Sequence, residues 1–476
     1  MARKSGNDLL TYAQAAAFVA KRAERLARDK PATQRVALAA AAGRVLAETL
    51  RADTDQPPFA RSTRDGFACR AAEASAHRPL AIAGASRAGD PPSGPLPHGA
   101  VWEIMTGAPV PRGADAVIML EHVESAGSPT ALTVRLLPPR TIDKGENIVT
   151  RGAQARKGAA LLPAGTLIGA AQIALAASCG RATLNVYVKP RVAILSTGDE
   201  LVPIAAKPKP GQIRNSSSAM LAAMVAAAGG TPWILPIARD SAKSLDAALA
   251  RAATAELLLI TGGVSAGKFD LVEPALARLG ARFHFTGVRM QPGKPVVFGE
   301  LPRSTAPNQK PSSMQWNGTK FFGLPGNPVS SAVTFLLFAA PVLAALAGRN
   351  DRGPRFALAR LAEDVKAKPG LTRFLPARVT NPILAQQSLG HPEQPKIGCH
   401  PERVPASRDE SKDPHLFFNE PQTHHTRCTF SSPEVLLVRW QGSGDLAAMA
   451  RSNCYLVVPD DSGSLDAGAM VNILLA

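Results

Sequence analysis

The sequence predicts a multidomain α/β protein. A central, mostly parallel, doubly wound α/β domain follows a helical and β-rich N-terminal part and precedes a small C-terminal β domain. Three observations predict this. From Lys189 onward, apolar runs, glycine-rich turns and amphipathic helices alternate, which is the pattern of βαβ units around a sheet buried on both faces. Before Lys189, two Ala-rich stretches of helical periodicity flank a run of short strand-like segments, and after Gly348 only strand-like segments recur. The chain has 476 residues, more than one hydrophobic core accommodates when domains hold roughly 100 to 200 residues.

Taken in order, residues Leu9 to Leu50 place Leu9, Tyr12, Phe18 and Val19, then Val36, Leu38, Val45 and Leu46, at helical spacing. Pro31 interrupts the pattern, so two helices are expected. Residues 51–150 carry strand-like runs at Val101 to Met105, Ala116 to Leu120 and Ala131 to Leu137, separated by Gly and Pro clusters, and are expected to form a small β-rich domain. Gly158 to Gly180 returns to an Ala-rich helical pattern. Residues 1–50 and 151–188 are therefore expected to form one discontinuous helical linker domain. Residues 189–349 supply the α/β domain. Its strands are expected at Val192 to Leu195, Trp233 to Ile237, Leu257 to Ile260 and Phe321 to Leu324, with helices from Ser217 to Ala228 and beyond Pro328.

The longest apolar stretch, Ala332 to Ala347, is shorter than the ~20 residues a bilayer needs and contains Pro341. A buried helix, broken or bent at the proline, is expected, and no membrane span. Residues 350–476 close the chain with strands at Phe356 to Leu361, Phe374 to Val379, Val435 to Trp440, Tyr455 to Pro459 and Val471 to Leu475. The segment at about 386–432 breaks that pattern. It is polar, rich in Pro and His and free of a sustained apolar period, so it reads as an insertion without a packed core of its own. Its Cys399, His400, His424, His425 and Cys428 match no usual zinc spacing, and a solvated loop with incidental Cys and His explains them more simply.

The net charge of +17 favours anionic partners. Aromatic residues are only 5% and no dense Lys/Arg run occurs, which argues against nucleic acid and leaves small anions. Five scattered cysteines without a C-x-x-C pair argue for a reducing compartment. With no export signal visible, a cytoplasmic location is expected.

The chemistry-bearing residues collect where strands end. Gly262-Gly263-Val264-Ser265-Ala266-Gly267 follows a buried strand and lets backbone amides approach an anion, although a tight structural turn reads equally well. Gln291-Pro292-Gly293-Lys294-Pro295 holds a lysine between rigid residues, with Arg289 two positions earlier; a lysine so restricted suits an oxyanion. Asp199, Glu200, Asp240 and Asp270 lie in strand-end loops. Such acids suit a hydrated Mg²⁺ carried on a phosphorylated ligand, while for any one of them a helix cap or a surface charge serves as well. Pro325-Gly326-Asn327-Pro328, followed by Ser330 and Ser331, opens a helix at the same edge. Two motifs in the β-rich region, Ser62 to Ala68 and Ile104 to Pro109, are explained by ordinary turns.

Six motifs occur in the order seen in one family. They are Asp65-Gly66-Phe67-Ala68; Thr106 to Pro111 with Gly113 to Val117; Ser196 to Leu201; Gly262 to Gly267; Pro292 to Pro295; and Gly323 to Ser330. The chain thereby resembles the molybdopterin molybdenumtransferase family, bacterial MoeA and the E domain of gephyrin, nearly from end to end. The resemblance implies a four-part elongated subunit in a homodimer, with the active site shared between subunits. It implies insertion of molybdate into adenylylated molybdopterin with Mg²⁺, releasing AMP and molybdenum cofactor, and contact with the upstream molybdopterin adenylyltransferase.

Carried over by position, Asp65 and Thr106 face the partner's site. Glu200, Asp240 and Asp270 are the functional acids, with Asp270 and Asp240 as the Mg²⁺ residues. Gly262, Gly263, Ser265, Gly293, Lys294, Pro295, Pro325, Asn327, Pro328 and Ser330 hold molybdate or the pterin phosphate. Ser443, in Gly442-Ser443-Gly444, is a further candidate. The chain departs from the family at Arg64, Gln154, Ser217 and Gln291. An acid is lost at Gln154 and a lysine at Gln291, and Arg289 is the expected replacement for the lysine because residues two apart on a strand share a face. A binding or scaffold homologue without turnover is the alternative reading.

Overall fold

The computed structural model describes residues 9–91, 94–128, 131–263, 271–302, 318–380 and 432–476. Contacts divide the chain into two units, one built from Met1–Leu26, Pro190–Leu343 and Arg352–Ala476, the other from Ala27–Lys189 and Ala344–Asp351. The segment expected as an insertion, with its Cys and His residues, lies outside the described residues except at Ser432.

The first unit contains the α/β fold. Four strands, Thr231–Ile234, Arg191–Ser196, Leu257–Thr261 and Lys320–Leu324, run parallel in that spatial order. Val297–Glu300 and Arg282–Thr286 complete the sheet antiparallel at one edge. Strands 191–196, 257–261 and 320–324 are buried along almost their whole length, which explains their continuous apolar sequence rather than an alternating one. The first strand of the domain lies between the second and the third. The crossovers therefore leave on opposite sides of strands 191–196 and 257–261, and a crevice opens at their carboxyl ends.

Among the described residues one helix, Pro328–Leu346, is long and apolar enough to cross a membrane, and 83% of its apolar window is buried inside the protein. It does not break at Pro341. Instead Phe335–Ala339 forms a π turn in which the Ala340 N–H bonds to the Phe335 carbonyl. The ring of Pro341 crowds the carbonyl four residues earlier and offers no N–H, and the widened turn just ahead accommodates this inside a continuous helix.

The C-terminal strands form a seven-stranded sheet that also recruits Leu10–Thr11 and Val288–Gln291. The N-terminal helix Tyr12–Leu26 belongs to the same unit, so it does not join residues 27–50 as expected. In the second unit, the second expected N-terminal helix is corrected to a strand, Thr33–Ala37, antiparallel to Thr183–Tyr187, followed by a single 3-10 turn. Val36 and Leu38 pack on a small core with Leu46, Leu184 and Val186. Their spacing serves short paired strands there, and long-range pairing outweighs local periodicity. The Gly158 to Gly180 stretch is helical only over Ala170–Ser178 and opens with a strand, Ala160–Leu162, because Pro163 and Gly165 stop a helix between them. The β-rich part forms a six-stranded sheet around Phe67, Val101, Ile118 and Val134. Cys69 is fully buried there, and burial pushes its thiol up to about 12.

Candidate active site

A cleft of about 410 Å³ lies at the switch point of the parallel sheet in the first unit. Its floor comes from the ends of two adjacent strands, Ser196 and Thr197 of one and Thr261 and Gly262 of the other. The Thr197 N–H donates to the Thr261 carbonyl at 3.0 Å and carries the pairing one residue past the strand. Gly262 has φ +89°, and a Cβ there would stand 2.5 Å from the Thr197 carbonyl oxygen. Only glycine allows the two chains to approach so closely. Thr197 itself is 2% exposed, and its hydroxyl has no hydrogen-bond partner among the described residues.

Two helices aim their N-termini at this floor. Asn215 caps helix Ser216–Ala227, its Oδ1 accepting from the Ser218 N–H at 3.2 Å. The same side chain joins a buried network in which the Ser196 hydroxyl donates to Asn215 Oδ1 at 3.2 Å and lies 2.7 Å from the Ser218 hydroxyl. Asn327 precedes helix Pro328–Leu346, with proline at the first helical position, where its fixed φ and missing N–H cost nothing. Ser217 donates to the Gly326 carbonyl at 3.3 Å and ties the two helix starts together. Aligned helix dipoles make this end of the sheet attractive to anions, although Pro328 has no N–H and the Val329 and Ser218 N–H groups are already bonded.

The residues expected from the sequence divide into groups. Glu200, Gly262, Asn327 and Pro328 line the cleft, and Gly263 and Pro325 adjoin them in the chain. Glu200 is exposed, its carboxylate folded over Gly198. Asp240 is not a lining residue; its N–H lies 3.5 Å from Asp199 Oδ1, next to Glu200 in the chain. Ser443 comes to the rim, its hydroxyl accepting from Asn327 Nδ2 at 2.7 Å and its carbonyl from the Val329 N–H at 3.1 Å. Ser330 is buried in the helix that starts there.

Arg289, Gly293, Lys294 and Pro295 do not line the cleft. Strand Val288–Gln291 pairs into the seven-stranded sheet instead, and Arg289 spends a guanidinium donor on the Gly370 carbonyl at 3.1 Å. Gln291 accepts from Arg373 at 3.2 Å. Lys294 is exposed. Asp65 and Thr106 meet in the second unit, where the Thr106 N–H donates to Asp65 Oδ1 at 2.7 Å. Ser265 and Asp270 lie outside the described residues.

Sequence reasoning missed Thr197, Ile213 and Arg214 as site residues. The signal for Arg214 was present, because Asn215 is a strong helix-cap residue and whatever precedes a cap at a strand end faces the same crevice. Among the described residues no group of three His, Cys, Asp or Glu side chains is placed to hold a metal ion. Mg²⁺ does not require one, since it keeps several waters and takes one or two carboxylates together with substrate phosphates. Of the described acids that the sequence singles out, only Glu200 lines the cleft, a donor set that suits an ion arriving on substrate rather than a resident ion.

Three stretches of the chain match family descriptions: residues 10–180 the MoeA N-terminal region (domain I and II), residues 193–345 a probable molybdopterin binding domain, and residues 415–476 the MoeA C-terminal region (domain IV). A molybdopterin molybdenumtransferase of Nostoc sp. is 36% identical over 66% of this chain and 70% of its own length. Another, of Haemophilus influenzae, is 28% identical over 93% of each chain. Among solved structures, the molybdopterin biosynthesis MoeA protein of Pyrococcus horikoshii OT3 superposes with a TM-score of 0.68 at 25% identity, covering 98% of this chain and all of that one.

Proposed function

Because the chain belongs to the MoeA family of molybdopterin molybdenumtransferases, an enzyme family of molybdenum cofactor biosynthesis, we propose that it inserts molybdate into adenylylated molybdopterin and releases AMP. One observation carries this reading. Two helix N-termini, the Gly262 turn and Arg214 meet in a single cleft at the carboxyl ends of adjacent parallel strands, the place where such a sheet binds an anionic ligand.

In this reading the helix starts at Asn215 and Asn327 hold phosphate or molybdate oxygens through backbone amides. The buried Ser196, Asn215 and Ser218 network keeps the first of these helix starts fixed. Glu200 and Asp240 hold Mg²⁺ against the substrate phosphate, together with Asp270, which the resemblance implies for the same role. Bound there, the ion offsets the charge that builds up as AMP leaves. Asp65 and Thr106 serve the site of a partner subunit in a homodimer, and the adenylylated substrate arrives from the upstream adenylyltransferase in the cytoplasm.

The test is single-turnover conversion of adenylylated molybdopterin with molybdate and Mg²⁺, following released AMP. Wild type releases AMP only when molybdate is present. Glu200→Gln and Asp270→Asn each slow release by roughly 100-fold or more, the usual scale for removing a charged group from a reacting centre. Tight binding of the pterin without AMP release by wild type sinks the reading and leaves a binding homologue.

A further inference from the structure

The cleft is sorted by polarity in a way the proposed reaction does not by itself explain. Its floor is polar, made of Ser196, Thr197, Thr261 and the capping Asn215, whereas its mouth carries Leu201, Ile213 and Leu446. Leu201 and Ile213 face each other in a two-residue parallel ribbon, Leu201–Val202 with Ile213–Arg214. Ile213 is 58% exposed and joins no hydrophobic core among the described residues, so burial does not account for an isoleucine there.

Arg214 is the one cation among the described lining residues, and Glu200 the one anion. The Arg214 Nε–H is shared between the Ile204 and Ala206 carbonyls, at 3.0 and 3.1 Å. Its stem is thereby fixed, while neither Nη group has a partner among the described residues. A guanidinium held by Nε alone keeps a two-pronged donor face for a phosphate, already ordered before binding.

We propose that Ile213 and Arg214 form a substrate ledge, on which one flat heterocyclic ring of the substrate lies against Ile213 while the diphosphate to which that end of the molecule is linked is held by Arg214. This rests on the transferase reading and deepens it, since the adenylylated substrate has two flat ring systems, adenine and pterin, at the two ends of one diphosphate. A β-branched side chain projecting from a ribbon presents a flat apolar face to a ring. The neighbouring guanidinium meets the phosphate before the rest of the ligand reaches the polar floor. The loop between the two strands adds exposed Lys207 and Lys209 near the mouth, which raise the local concentration of an anionic ligand.

The experiment uses the full-length protein and two independent readouts, equilibrium binding of AMP and steady-state turnover of adenylylated molybdopterin. Arg214→Ala and Ile213→Ala are compared with Arg214→Lys, which keeps the charge and loses the fork. Ile213 is too exposed for its truncation to unfold the protein, and matched thermal midpoints check the arginine variants. Arg214→Ala is expected to raise KM about 10- to 100-fold with kcat changed less than about threefold, the scale of a lost charge-assisted hydrogen bond. Arg214→Lys recovers part of the loss, and Ile213→Ala raises KM about tenfold.

A parallel loss of AMP affinity places the adenylyl ring on the ledge. Unchanged AMP affinity with a raised KM places the pterin ring there, and either result supports the ledge. Unchanged KM and unchanged AMP affinity in all three variants overturn it while leaving a turnover-competent transferase intact. If wild type binds AMP through these residues but never turns over, the ledge stands and the transferase reading falls.

Discussion

Thr197 and Ser218 sit within the same strand end and cap, yet their hydroxyls have opposite energetic standing. The Ser218 hydroxyl accepts from Asn215 Nδ2 at 2.9 Å and lies 2.7 Å from that of Ser196, whereas the Thr197 hydroxyl is buried with no partner among the described residues. A buried polar group without a partner costs stability, and one inside a satisfied network supports it. Thr197→Val conserves shape and removes only the unpaired hydroxyl, so its urea midpoint stays at or above that of wild type. Ser218→Ala strands Asn215 Nδ2, whose bond to the Ser218 hydroxyl is lost, while Ser196 keeps Asn215 Oδ1, and it lowers stability by about 1 to 3 kcal/mol. A Thr197→Val loss as large as that of Ser218→Ala would mean the hydroxyl is partnered in solution. At this scale the sequence conveyed acids and glycines well, because Glu200 and Gly262 advertise chemistry by residue type. It conveyed Arg289 poorly, since only the pairing of strand 288–291 with Thr372 and Arg373 decides which sheet that arginine joins.

Helix starts were more legible than helix lengths. The strands at 192–195, 257–260 and 321–324 and the helix opening near Ser217 were expected within a residue or two of where they fall, because a buried parallel strand and a polar cap are both local signals. The false second helix after Pro31 shows the limit, since Thr33–Ala37 becomes a strand only through a partner about 150 residues away. The cap at Asn215 ties element to site, because it fixes the end of helix 216–227 and also receives the Ser196 hydroxyl. Asn215→Ala is expected to cost about 3 kcal/mol, the sum of a lost cap and two lost buried hydrogen bonds, and to weaken ligand binding at the cleft. Asn215→Asp keeps the capping oxygen and exchanges the bond from Nδ2 to Ser218 for a carboxylate, at a position 7% exposed, that the helix N-terminus stabilises and the Ser218 hydroxyl can donate to. In urea titrations, equal losses for the two variants would show that the cap oxygen contributes nothing.

The chain's membership of its family was legible almost end to end, since ordered motifs survive where element boundaries blur. How the N-terminal helix is held was not legible, because it depends on one buried carboxylate about 280 residues away. Glu300 is fully buried and lies in an ion pair with Arg22 of helix Tyr12–Leu26; Arg22 Nε donates to its Oε1 at 2.5 Å. On its own hairpin, Arg282 reaches the other oxygen at 3.2 Å and His284 Nε2 stands 3.4 Å away. Burial alone would raise this carboxyl's pKa, but the neighbouring His284 and the Arg22 charge outweigh it and bring it down to about 2 from 4.5. A carboxylate with a depressed folded pKa contributes stability that is present above the unfolded value and lost as pH falls toward the folded one. That contribution is therefore full above about pH 4.5, disappears between 4.5 and about 2, and amounts to about 3 kcal/mol. Glu300→Gln removes the charge and leaves two guanidinium groups facing a neutral amide, so it is destabilised by a similar amount near neutral pH. Thermal midpoints of wild type and Glu300→Gln are expected to stand well apart at pH 6 and to converge as pH falls from 4.5 toward 2. A gap that stays constant over that window would mean the carboxylate is not what anchors the helix to the sheet edge, and would shift that role to the aromatic contacts of Phe18 with Phe285 and Phe298.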